Sequence, residues 1–97
     1  MANIDIFKKH YELVKTAGEI HAETTNIDFL LQLNARVREV YTACHKNEGV
    51  EEAFGKLIFT CADAITFQKK DPKEVLKTIF DNNLKNGKED VYNLKAV

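Results

Sequence analysis

Residues 27–68, IDFLLQLNARVREVYTACHKNEGVEEAFGKLIFTCADAITFQ, decide the fold. From Ile27 the apolar residues Phe29, Leu30, Leu33, Val37, Val40, Tyr41 and Cys44 recur every three or four positions for more than four turns. That is the period of a helical face, not of a strand. Asn47, Glu48 and Gly49 interrupt it, and glycine there suits a left-handed helix end. The period resumes with Val50, Phe54, Leu57, Ile58, Cys61 and Ile65, and Glu51 and Glu52 set negative charge at the positive end of the helix dipole. Two long amphipathic helices joined by so short a turn fold back on each other, so the spacing predicts an antiparallel hairpin of about 27–46 and 50–68.

Outward from the hairpin the helical period persists. Ile4, Phe7, Tyr11 and Val14 predict a helix over about 4–17, with Asn3 or Asp5 as its start. Gly18, Thr24, Thr25 and Asn26 mark a connection that offers side-chain oxygens for capping the next helix. Asp71 before Pro72 opens a fourth helix, whose stripe is Val75, Leu76, Ile79, Phe80 and Leu84. Residues 85–97 lose the period, although Val91, Tyr92 and Leu94 remain able to pack on a neighbour. The expected fold is an all-α four-helix bundle forming one domain over 1–97.

Composition agrees. The 97 residues are 44% hydrophobic and 30% charged with one proline and four glycines, too few turn residues for an all-β chain. A formal net charge of -1 removes the broad basic footprint of a nucleic-acid or anionic-membrane binder. No apolar run reaches the 18 to 20 residues of a membrane span. Cys44 and Cys61 form no CxxC pair, and the N-terminus turns polar within five residues, so a cytoplasmic chain with reduced thiols is expected. Long apolar stripes on so small a chain predict a homo-oligomer.

Four runs carry a resemblance. Ala35-Arg36-Val37-Arg38-Glu39-Val40 lies on the second helix, Glu52-Ala53-Phe54-Gly55-Lys56-Leu57-Ile58-Phe59 on the third, and Lys70-Asp71-Pro72-Lys73-Glu74-Val75 opens the fourth before the exit Phe80-Asp81-Asn82-Asn83-Leu84-Lys85-Asn86. In order and spacing, residues 30–90 resemble the MazG-like all-α nucleotide pyrophosphohydrolases. The resemblance implies a dimer or tetramer and a nucleotide ligand. In the family, carboxylates at i and i+3 on two facing helices hold Mg²⁺ against substrate phosphates. The matching positions here are Arg36, Glu39, Ala53 and Lys56, so three of the four carboxylates are lost. Metal-assisted hydrolysis is expected to be absent or very weak, with Mg²⁺ needed only if residual activity survives.

Two outcomes follow for the altered site. Arg36, Lys56 and Arg38 replace the metal's charge and bind a phosphate directly, with Glu39 between them. Alternatively Glu39 pairs with Lys56 or Arg36 across the hairpin as a structural ion pair in a non-catalytic interaction module. Other candidates are weaker. His21 lies between Glu19 and Glu23 at a spacing that does not share a helical face, and Cys44 and His45 are adjacent and point about 100° apart. Both cysteines read as small hydrophobes, His10 as a boundary residue beside the first stripe, and Lys69, Lys70, Lys73 and Lys77, interspersed with Asp71, Glu74 and Asp81, as an ordinary charged face.

Overall fold

The computed structural model describes residues 4–85, which form four α-helices and no strand: α1 (Ile6–Thr16), α2 (Asn26–Lys46), α3 (Val50–Phe67) and α4 (Pro72–Lys85). Val91, Tyr92 and Leu94 lie outside the described residues. α1 starts two residues later than its apolar pattern suggests, because the Asp5 carboxylate accepts the Lys8 N–H at 3.1 Å and so fixes the first turn. At α2 the Thr25 N–H donates to Asp28 at 2.8 Å, so the side chain of the first turn reaches back to the residue before the helix. Asp71 does the same work before Pro72, accepting the Lys73 N–H at 2.9 Å.

The left-handed residue that ends α2 is Asn47, with φ 53°, rather than Gly49, which instead precedes α3. Asparagine tolerates this conformation because its short amide bonds locally. All three helix exits share one pattern, the Schellman motif. Glu19 N–H bonds back to Val14, Glu48 to Ala43 and Lys70 to Ile65, with Gly18, Asn47 and Lys69 at the left-handed position.

α2 and α3 form the central antiparallel hairpin, the largest helix contact of the fold. Gln68 donates to Asn26 at 2.6 Å, and Phe29 packs on Phe67 with ring centroids 4.9 Å apart, closing the end opposite the Asn47–Gly49 turn. α1 lies on α3 through Phe7 and His10, which contact the Phe59 ring edge-on and stacked respectively. α4 touches α3 more lightly, and Lys73 reaches Asp5 at 3.2 Å.

The core is thin. Among the described residues the buried apolar side chains are Ile20, Ala53, Ala62 and Pro72, and no large side chain is fully buried. The stripes therefore reach far less cover than their periodicity suggests. Leu30, Val37 and Tyr41 on α2, Phe54 and Ile58 on α3, and Leu76, Ile79, Phe80 and Leu84 on α4 are exposed, as are Cys44 and Cys61. No described helix is long and apolar enough to cross a membrane.

Candidate functional site

A cleft of about 540 Å³ opens between α1, the α1–α2 connection, α2 and α3. Asp28, Gln32 and Arg36 line it at four-residue intervals, which places them on one face of α2. α1 supplies His10, and α3 supplies Thr60 and Asp63, one turn apart. Ile20, anchored by the Schellman exit of α1, plugs the loop side, and His21 follows it at the rim. The His21 ring accepts the Glu23 N–H at 3.2 Å and the Thr24 hydroxyl accepts the His21 N–H at 2.9 Å, so this rim is folded by its own polar groups.

At the floor, His10 Nδ1 lies 2.9 Å from one Asp63 oxygen and 3.2 Å from the other. Asp63 is only 5% exposed, and burial raises its pKa above the ordinary carboxylate range more strongly than its hydrogen bond from His10 lowers it. Tyr11 is near enough for the same pair of causes to act: its own burial and then the Asp63 charge raise its phenol. The imidazole is fixed from three directions, by Asp63, by the stacked Phe59 ring at 4.2 Å and by its own helix. A carboxylate on Nδ1 selects the tautomer that leaves Nε2 as the ring nitrogen for a ligand.

The residues that the family resemblance singles out are separated. Arg36 Nη1 donates to both Glu39 oxygens at 3.0 Å, one turn along α2, and Lys56 lies 3.7 Å from Glu52 on α3. Neither partner choice crosses the hairpin. Arg36 lines the cleft, whereas Arg38 and Glu39 line a shallow depression along α2 with Thr42 and Lys46. Arg36 Nε is buried and has no hydrogen-bond partner among the described residues. Among the described residues no three histidine, cysteine, aspartate or glutamate side chains gather into a metal-binding group.

The His10–Asp63 pair is absent from the spacing analysis because its members lie 53 residues apart, on helices whose contact is tertiary. A signal was present. Asp63 is the one charged residue between Ile58 and Phe67 on the most apolar helix, and a lone carboxylate in such a run needs a partner. With this geometry in view, comparison with known proteins adds no assignment: no protein family, no curated protein and no solved structure matches the chain.

Proposed function

We propose that this chain is a MazG-like helical protein that binds a nucleotide or another phosphate-bearing ligand in the α1–α2–α3 cleft without metal-dependent hydrolysis, and that it works in the cytoplasm as a homo-oligomer. The observation that carries the ligand reading is Arg36, which lines the cleft and whose buried Nε finds no acceptor among the described residues, so that a small side-chain movement would offer it to a ligand. An orphaned donor of this kind costs about 1–3 kcal/mol, and a phosphate oxygen would satisfy it with a charge-assisted bond. Gln32 adds an amide donor to the same space, and His10, oriented by Asp63, presents Nε2 as an acceptor to a ligand hydroxyl or amine. Arg38 and Lys56, which lie outside this cleft, then contribute to the field rather than to direct contact.

Glu39 acts in this reading as a brace. By holding Nη1 it leaves Nε and the other terminal nitrogen of Arg36 for the ligand. Its engagement with Arg36 also works against metal binding, since the single surviving family carboxylate is already neutralised. Two other readings remain distinct from this one: an active nucleoside triphosphate pyrophosphohydrolase, and a non-catalytic interaction module. The second is favoured by the exposed apolar side chains.

Calorimetric titration with a panel of nucleotides, with and without Mg²⁺, separates the three. The expected result is binding that is independent of Mg²⁺, weakens as salt rises, and produces no hydrolysed nucleotide. Arg36→Met, which keeps the apolar stem, is expected to weaken the ligand about 10- to 100-fold, corresponding to the roughly 1.5–3 kcal/mol of a hydrogen bond to a charged group. Mg²⁺-dependent turnover would establish the enzyme instead. Absence of binding to every nucleotide and to inorganic phosphate would leave the interaction module.

A further inference from the structure

α2 carries two apolar faces, and among the described residues only one has a partner. Phe29, Leu33, Val40 and Ala43 follow the four-three spacing of the face against α3, and each is partly covered. A second set, Ile27, Leu30, Asn34, Val37, Tyr41 and Cys44, runs at spacings of three, four, three, four and three. That is an unbroken a/d heptad seam over two and a half repeats. Every one of the six is exposed, from 50% at Val37 to 67% at Tyr41 among those with large apolar side chains. At 100° per residue this seam lies about 110° around the helix from the face that meets α3.

α3 repeats the arrangement. Ala53, Leu57, Thr60 and Ala64 face α2, whereas Phe54, Ile58 and Cys61 are exposed and lie about 110° around in the same rotational sense. In an antiparallel pair, equal rotations in the same sense about the two axes arrive on the same side of the pair. The α2 seam and the α3 set are therefore one surface. The other side holds Phe59 and Asp63, the α3 residues that α1 and the polar cleft use.

We infer that this uncovered side of the α2–α3 hairpin is the docking surface for a second copy of the chain, seated face to face to build a four-helix layer. The inference rests on the homo-oligomer reading above and adds the face to it. Area favours a second copy. Six large apolar side chains about half exposed, with two thiols, present on the order of 800 Å², the contribution of one partner to a standard specific interface. The surface carries no charged residue along either row, so it is self-complementary in the way a two-fold contact requires. Asn34 is the one polar member, and a single polar residue on an apolar seam restricts the registers two copies can adopt. Residues 86–97 are a poorer occupant, because Val91, Tyr92 and Leu94 are interspersed among Lys88, Glu89, Asp90, Asn93 and Lys95 and are too few to cover eight side chains.

Light scattering on the full chain tests this. The wild type is expected at twice the 11.1 kDa chain mass at tens of micromolar. Val37→Glu and Ile58→Glu, both at exposed sites, should raise the dimer dissociation constant at least about 100-fold with unchanged helical circular dichroism, because each buries a charge without a partner. Phe80→Glu on α4 should leave the dimer intact. The unaltered protein supplies a second measurement: Cys44 and Cys61 should alkylate more slowly at high protein concentration than after dilution, since both thiols would be covered in the dimer. A monomeric wild type would overturn both the inference and the oligomer reading. An oligomer that survives Val37→Glu and Ile58→Glu, or whose thiol reactivity is the same across its dissociation range, would overturn the face assignment alone.

Discussion

Two aspartates give the stability of this chain opposite pH slopes. The carboxyl of Asp63 is raised by burial, so the folded chain holds its proton to higher pH than the unfolded chain does. Its contribution is therefore greatest below the unfolded value of 3.8 and is lost as pH climbs through the higher folded value. Asp5 is lowered, first by the backbone N–H of Lys8 and then by Lys73, so its contribution is present above 3.8 and is lost as pH falls through the lower folded value. Asp63→Asn removes the first slope and leaves the second. Thermal melts of this variant and the wild type are expected to diverge in the variant's favour as pH rises above 3.8, and parallel curves would show that Asp63 has an ordinary pKa. Arg36 makes a stability argument too. Losing its unpaired Nε should leave the melting temperature of free Arg36→Met unchanged or raised, even as ligand binding falls.

Among the elements, the helix exits are the informative places. Gly18, Asn47 and Lys69 occupy the same left-handed position of the same motif, and they differ only in how well each side chain tolerates it. Lysine has a β-carbon and no short polar group to compensate, at a cost of about 1 kcal/mol relative to glycine. Lys69→Gly is accordingly expected to stabilise the chain by about 0.5–1 kcal/mol, read as a higher denaturant midpoint with an unchanged slope. Cβ room is not the issue at Gly18, where nothing lies within 4 Å, so Gly18→Ala would fail through its φ of 83° alone. The sequence made these boundaries legible to within a residue or two because caps are local chemistry: Asp5, Asp71 and Pro72 act within three residues of themselves. Gly49 is left-handed as the sequence suggests, with φ 66°, but it precedes α3, and the left-handed residue that ends α2 is Asn47.

For the whole molecule, thin burial sets the expected behaviour. With Ile20, Ala53, Ala62 and Pro72 as the buried apolar side chains among the described residues, the helices have little core with which to offset the entropy of their ordering. If a second copy covers the hairpin face as inferred above, it adds what is missing, and folding and association are linked. The melting temperature should rise with protein concentration, by several degrees over a hundredfold range, as mass action requires for an associating chain. A melting temperature independent of concentration would show that the single chain carries its own stability. Exposed stripes on α4, at Leu76, Ile79, Phe80 and Leu84, are a second apolar surface that the same scans address.

Periodicity determined the helices, their order and the antiparallel hairpin, because a 3.6-residue repeat, a capping carboxylate and a three-residue turn are all written within neighbouring positions. The same periodicity marks which residues are apolar but not what covers them, and here two stripes on α2 served one partner and one vacancy. Charge pairing went the same way. The family resemblance grouped Arg36, Glu39 and Lys56, yet in the structure Arg36 pairs with Glu39 and Lys56 with Glu52, each on its own helix, since an i to i+3 or i+4 neighbour needs no docking geometry. Only the tertiary structure brought His10 across to Asp63 and set Arg36 beside them, because a contact spanning 53 residues depends on how α1 lies on α3. Local spacing carries no record of that angle; the packing of Phe7 and His10 on Phe59 decides it.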